Sequence, residues 1–391
     1  VGSIIRMRKD STVMIVEPYE GMPAAEVGLQ PGDVMLKIDN TDLKGKSTTD
    51  VSDMLRGEPG TTFVLQVRRH GETKTRNFKI TRQVVKLNAI PFSDMVADGV
   101  GYIALNTFTE GCSKDMRKAI ISLKEKGATS VVIDLRGNTG GLVNEAVDIV
   151  NLFVPQGKKI VEMRGKSHAS HQVYSTQNEP LDLDMPVVLL VNGETASSSE
   201  ILSGSLQDLD RAVVIGSKTY GKGLVQSSRE LPYNGGIKMT TAKYYIPSGR
   251  CVQAIDYKRV RDEREAKMLG KTIPPVDSLK HIFHTASGRE VKEGSGVIPD
   301  IDMNHDTLAN IVVYLSMDDV LTDWSAEYYK AHPTIAPAKD FVIPDADFAS
   351  FKKYCKEHNF SYDRMSEKRL ADLKKTAKFE GYYDDAKAEF D

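Results

Sequence analysis

The chain has 391 residues, a formal net charge of -2 at pH 7, 40% hydrophobic and 27% charged residues, an ordinary globular composition with room for two or three domains. The near-neutral balance gives no global field for nucleic acid or an anionic membrane, and no apolar run approaches the roughly 18 residues of a membrane span. Cys112, Cys251 and Cys355 are too widely spaced for a metal knuckle and too few for a disulfide framework. His168/His171 and His281/His284 are close pairs but no H-E-x-x-H occurs, so no metal and no cofactor is assigned.

Residues 1–82 read as a β-rich domain. Thr12–Glu17 is a short apolar strand, and Gly21-Met22-Pro23-Ala24-Ala25 is a turn into a short helix. After the turn Gly28–Asp33, Val34, Leu36 and Ile38 alternate with Met35, Lys37 and Asp39, the period of a half-buried strand. Val51, Met54 and Leu55 give Asp50–Arg56 the spacing of a short amphipathic helix, which Gly57-Glu58-Pro59-Gly60 stops. Phe63, Leu65 and Val67, then Phe78 and Ile80, mark two further strands. This order, with G-x-P-A-x-x-x-G-L-x-x-G-D, resembles a PDZ domain. The resemblance implies a groove that takes an apolar peptide C-terminus as an added strand. Its carboxylate loop would be Val1-Gly2-Ser3-Ile4, its strand Ile4–Met7, and its helix the one bearing Val51 and Leu55.

Residues 83–98 read as a connector. From Gly99 strand and helix alternate: strand Val100–Leu105, helix Cys112–Glu125, strand Ser130–Leu135, helix Asn144–Phe153, strand Pro186–Val191, helix Glu200–Leu209, strand Ala212–Ile215. That order predicts an α/β domain, residues 83–305, around a largely parallel sheet, and the apolar strand Ser130–Leu135 predicts a sheet covered on both faces. Residues 306–391 are charged and helical, with Phe351–His358 and Ser366–Ala377 the clearest helices.

Three segments carry chemistry. Thr195-Ala-Ser197-Ser198-Ser-Glu200 follows a buried strand and opens a helix, where first-turn amides can hold an oxyanion, although Ser197-x-x-Glu200 is equally a capping box. Gly216-Ser-Lys-Thr-Tyr-Gly221-Lys222-Gly223 nearly spells a phosphate loop. Gly223 stands where a Mg²⁺-binding hydroxyl is needed, and Leu224-Val225-Gln226 looks extended rather than helical, so it reads better as a glycine-flanked lysine at the mouth of a sheet. Asp134–Gly141 ends an apolar strand in a Gly-Gly turn that points amides into the crevice where open α/β sheets bind ligands.

Together, Asp134–Gly141, Asn192–Asp208, Gly216–Gln226 and Thr240–Gly249 resemble the C-terminal processing peptidases, the tail-specific proteases of serine peptidase family S41, with a PDZ domain. The resemblance covers residues 1 to about 302, and residues 306–391 more weakly resemble Bacteroidetes-type members. It implies a ClpP/crotonase-like core, Ser197 as nucleophile, Lys222 as general base, Gln226 as its support, and oxyanion amides from Ser198, Gly140 and Gly141. Thr195 and Ser198 stand for the family's usual Ser and Ala, and Thr139 for its Pro, all compatible replacements.

A lysine is a base only when neutral, and at its ordinary pKa of about 10.4 it is not. Burial near Leu224 and Val225 is therefore expected, with an uncharged Gln226 orienting the amine. Lys222 and Gln226 would lie about 13 Å apart on a straight strand, so a bend is expected there. The resemblance further implies unfolded or C-terminally tagged protein substrates, gating of the site by the PDZ domain, and a periplasmic or cell-envelope location. It leaves room for a homo-oligomer and for a membrane anchor in a segment preceding Val1. Two rivals are a catalytically silent PDZ-containing peptide-binding scaffold and a nucleotide-binding enzyme, the latter opposed by Gly223.

Overall fold

The computed structural model describes residues 1–85, 88–233, 235–268, 282–303, 308–332, 334–337 and 340–390; His281 and the 305/306 boundary lie outside them. Two compact units form, residues 87–305 and residues 1–86 together with 306–391.

In the N-terminal part, β1 (Ser3–Met7), β2 (Val13–Pro18), α1 (Pro23–Glu26), β3 (Val34–Ile38), β4 (Thr41–Asp42), α2 (Thr48–Leu55), β5 (Thr62–Arg68) and β6 (Thr75–Thr81) follow in order. The sheet runs β1-β2-β3-β5-β6, with β4 on β3, so β1 has a free edge among the described residues. Val13, Ile15, Met35, Ile38, Phe63, Leu65, Val67 and Ile80 pack with Val51 and Leu55 of α2 into one core; in β3 a ladder irregularity between Met35 and Lys37 breaks the expected alternation and puts Met35 in the core in place of Leu36. The Asp33 carboxylate is fully buried and grips Arg69 through two bonds of 2.8 and 2.7 Å. That ties the start of β3 to the end of β5 with both charges paired. Ser47 caps α2 in a reciprocal box with Asp50.

Residues 87–305 carry β7 (Phe92–Ala97), β8 (Val100–Ala104), α3 (Cys112–Glu125), β9 (Ser130–Asp134), α4 (Val143–Asn151), β10 (Lys159–Gly165), β11 (Gln172–Ser175), β12 (Val187–Val191), α5 (Ser198–Asp208), β13 (Ala212–Gly216), β14 (Leu224–Leu231), β15 (Gly235–Tyr245), α6 (Tyr257–Met268), β16 (Ile282–His284), β17 (Glu290–Lys292) and β18 (Ile301–Asp302). The main sheet runs β18-β13-β12-β9-β8-β7 and is parallel except at β7. Part of the expected connector is thus strand β7, whose largely exposed positions hide the two-residue period. One face of the sheet (Val131, Ile133, Val187, Leu189, Val191, Val214) is fully buried, while Val132, Val188 and Leu190 opposite are half-buried and Val213 is exposed. The expectation of cover on both faces is therefore met on one face only. A second, antiparallel sheet runs β11-β10-β15-β14, and β14 is an edge strand among the described residues.

In residues 306–391, α7 (Asn310–Met317), α8 (Asp319–Ala331), α9 (Asp345–Glu357), α10 (Met365–Glu380) and α11 (Lys387–Phe390) follow. They share a unit with β1–β6, which their charged, helical sequence did not specify. Asp319, Asp323 and Glu327 recur every four residues along α8, one stripe of a helix. Arg6 pairs with Asp319, Arg8 binds Asp323 through two 2.9 Å bonds, and His70 lies 3.5 Å from Asp323 and 3.0 Å from Glu327. Trp324 packs on Tyr328 and Phe351 with centroids 5.1 and 5.0 Å apart, joining α8 to α9.

Candidate active site

The parallel register sets Asp134 beside Leu190, and Val191 beside Gly216. The carboxyl ends of β9, β12 and β13 are therefore neighbours, and the three chemistry-bearing segments leave the sheet along one edge.

Ser197 stands at the first turn of α5 with φ 59° and ψ -117°, a region that costs a non-glycine residue about 1–3 kcal/mol. The strain is held by its neighbours. Its N–H donates to Glu200 Oε2 at 2.9 Å, and its carbonyl accepts from the Glu200 and Ile201 amides. All residues of α5 are buried, so the turn cannot relax by swinging outward. Gly140 passes so close that a Cβ there would lie 2.8 Å from Ser197 Cβ. Asn138, fully buried, organises the approach: its side chain donates to the Leu105 carbonyl at 2.6 Å, and its own carbonyl accepts from Ala196 N–H and Ser199 Oγ. Ser198 Oγ donates to the Gly141 carbonyl at 2.8 Å.

Of the expected oxyanion donors, the Ser198 and Gly141 amides have no acceptor among the described residues. Gly140 differs: its N–H donates to Asn138 Oδ1 at 2.9 Å. The Asn138 side chain closes a local turn with that amide and occupies it.

Glu200 is the residue whose role the sequence understated. Its fully buried carboxylate accepts four hydrogen bonds: Ser197 N–H and Lys222 N–H on Oε2 (2.9 and 2.8 Å), and Thr219 Oγ and Gly221 N–H on Oε1 (2.6 and 2.7 Å). Burial pushes its pKa above the ordinary glutamate value, and the four donors pull against that shift. The S-x-x-E spacing signals only a helix cap; that the same carboxylate reaches a loop some twenty residues on has no sequence signature. Thr219 continues the link, its hydroxyl also accepting from Val297 N–H at 2.7 Å, which gives Gly296–Ile301 a role at the site.

The Lys222 backbone is thus fixed beside Ser197, but its side chain is exposed, and no hydrogen bond joins its amine to Ser197 Oγ. Burial near Leu224 and Val225 is not realised: those residues pair with Lys243 and Ala242 of β15 and are half-buried, while Lys222, just before the strand, is exposed. Gln226 is exposed on β14, immediately after an irregularity in the ladder between Val225 and Gln226. This irregularity lies within the span where a bend is expected. Asp134, bound by Arg136 and by the Tyr102 hydroxyl at 2.7 Å, closes the far side of the turn.

In the N-terminal groove, Gly2 is tucked under Met22, its carbonyl accepting from Tyr19 N–H and that of Val1 from Ala24 N–H. Ser3 and Ile4 open β1, with Ile4 exposed. Val51 and Leu55 are core residues, 0% and 6% exposed, and do not line an open groove. The face of α2 they occupy is needed to cover the sheet, and Thr48, Ser52 and Met54 are the helix's half-buried positions. Among the described residues no group of three His, Cys, Asp or Glu is placed to hold a metal ion, and His171 instead lies 3.4 Å from Glu162.

Comparison with known proteins follows the same division. Residues 99–260 match the model of peptidase family S41, residues 14–69 a PDZ-domain model, and residues 311–391 a model described as a probable PDZ-protease C-terminal helical domain. A carboxy-terminal-processing protease of Bartonella bacilliformis is 36% identical over 251 residues, covering 63% of this chain and 57% of that protein. A probable CtpA-like serine protease of Staphylococcus aureus is 35% identical over 248 residues, covering 63% and 49%. The chain spans about half the length of the curated relatives it matches. The solved photosystem II D1 C-terminal processing protease is 27% identical, covers 79% of this chain and 73% of its own, and superposes with a TM-score of 0.43. The core thus matches the model of peptidase family S41, the N-terminal module that of a PDZ domain, and the C-terminal helices that of a PDZ-protease helical domain.

Proposed function

We propose that this chain is a serine endopeptidase that cleaves protein substrates with Ser197 as nucleophile and Lys222 as general base. The observation that carries the proposal is the shared Glu200 oxygen that fixes both backbones side by side. The Lys222 amine, neutral and turned inward, takes the Ser197 hydroxyl proton as Oγ attacks the scissile carbonyl. The Ser198 and Gly141 amides receive the oxyanion. The amine then passes its proton to the leaving nitrogen, and water repeats the cycle on the acyl-enzyme. Gln226 would orient the amine once it turns inward. The exposed amine describes a resting arrangement, and engagement asks for side-chain rotation with the backbone already placed.

In the same proposal the PDZ domain recognises an apolar C-terminus at the free edge of β1 and gates the site, and the scissile segment adds as a strand to the edge of β14. The same proposal places the chain in the periplasm or cell envelope and allows a homo-oligomer. One observation favours a second reading, a catalytically silent peptide-binding scaffold: the absence of a bond between Lys222 and Ser197.

Cleavage of an unfolded protein by the chain and by Ser197→Ala and Lys222→Ala separates the two. Loss of cleavage in both variants supports the peptidase, and equal cleavage by all three overturns the dyad. Deleting residues 1–82 tests gating, which fails if turnover is unchanged for substrates with and without a free apolar C-terminus.

A further inference from the structure

We propose that Gln253 is a positioning residue for Lys222, holding the peptide group that follows the lysine as Glu200 holds the one that precedes it. The inference rests on the Ser197–Lys222 reading.

The segment Cys251–Ile255 runs alongside the loop Ser217–Gly223. Ala254 N–H donates to the Gly221 carbonyl at 3.0 Å, and Tyr244 N–H to that of Gly223 at 2.9 Å. Gly223 N–H donates to Gln253 Oε1 at 2.8 Å. The Gln253 amide is itself oriented, because its Nε2 donates to the Ile255 carbonyl at 3.1 Å. The approach is tight: a Cβ on Gly223 would lie 2.6 Å from Gln253 N, which explains why glycine follows the lysine.

Two peptide planes meet at the Lys222 Cα. The first is fixed through Lys222 N–H on Glu200, the second through Gly223 N–H on Gln253. Fixing both sets the direction of the Cα–Cβ bond, and only side-chain torsions remain to carry the amine toward Ser197. An amide suits this place. It accepts the Gly223 bond without putting a negative charge next to an amine that must give up its proton to act. Gln226 differs in kind: it is exposed on β14 and supports the amine only after rotation.

The test measures kcat and KM against pH for cleavage of an unfolded protein by the full chain, with the rate at which a fluorophosphonate labels Ser197 and the melting temperature as companions. Gln253→Ala should lower kcat about tenfold or more, with KM within about twofold and the melting temperature nearly unchanged, as expected for a lost orienting bond. Gln253→Glu keeps the acceptor and adds a charge. It should restore most of the plateau kcat while moving the rising limb of the pH profile to higher pH. Labelling should follow the same order. If both Gln253 variants keep the parent's kcat and profile while Lys222→Ala is inactive, the inference is wrong. A fall in kcat that only tracks a fall in melting temperature, with no movement of the profile in Gln253→Glu, also overturns it. If Lys222→Ala labels and cleaves like the parent, the dyad reading itself falls, and the inference with it.

Discussion

Ser197 and Lys222 donate their backbone N–H groups to one atom, Glu200 Oε2, at 2.9 and 2.8 Å. The proposed nucleophile and the proposed base are thereby related through the main chain, and the lysine side chain can turn without disturbing that frame.

Glu200 should tolerate almost no substitution. Glu200→Ala leaves four donors without their acceptor in a buried site, each costing about 1–3 kcal/mol if water does not replace it, so loss of the folded core is expected in thermal melts. Glu200→Gln keeps one acceptor oxygen and should fold with activity reduced about ten- to a hundredfold. Because burial raises the folded pKa of Glu200, the folded state holds this proton more tightly than the unfolded chain. The parent's stability should therefore fall as pH rises from the ordinary glutamate value, about 4.3, through the raised one. Denaturant midpoints of Glu200→Gln should lack that slope.

Lys222→Ala should abolish cleavage and leave stability within about 0.5 kcal/mol of the parent, since the exposed side chain makes no bond in the resting structure. Calorimetry showing a large loss of stability would mean that the amine is engaged at rest.

The Asp208–Arg250 pair should behave in the opposite way. Asp208 Oδ1 and Arg250 Nη2 lie 2.8 Å apart with the side chains 0% and 1% exposed, and Arg250 also binds Gln207 Oε1 at 2.7 Å. Arg250→Met strands a buried carboxylate and should cost about 3–5 kcal/mol, whereas Asp208→Leu with Arg250→Met together should recover much of it. Urea denaturation of the two variants checks the difference.

His70 gives the contact between α8 and the β1–β6 sheet a pH dependence. Its hydrogen bonds to Asp323 and then Glu327 hold its pKa above the ordinary histidine value, against partial burial. Its contribution is fully present below the unfolded value of about 6.5 and is lost as pH rises through the raised folded value. Asp323 is held well below the usual carboxylate range by His70 and Arg8, against its own burial, so it stays charged throughout that window. His70→Gln should flatten the dependence of melting temperature on pH above about 6.5, and the His70 ring resonances should titrate later than a free histidine.

The sequence by itself determined the strands and helices of the parallel sheet from Val100 to Ile215, because buried parallel strands are apolar runs and their covering helices amphipathic, but not the intervening antiparallel strands β10 and β11. Through resemblance it also proposes Ser197, Lys222 and Gln226 as one site. Local chemistry was legible too: Gly28–Asp33 was read as a turn, and Ser197-x-x-Glu200 as a helix cap. Only the tertiary structure decided that Glu200 also holds the lysine loop, that Asn138 occupies the Gly140 amide, that Val51 and Leu55 belong to the core, and that residues 306–391 share a unit with residues 1–86. Each depends on which segments the parallel register and the packing of α5 and α8 bring within about 3 Å of one another. Periodicity records which face of an element is buried, but not what lies against it.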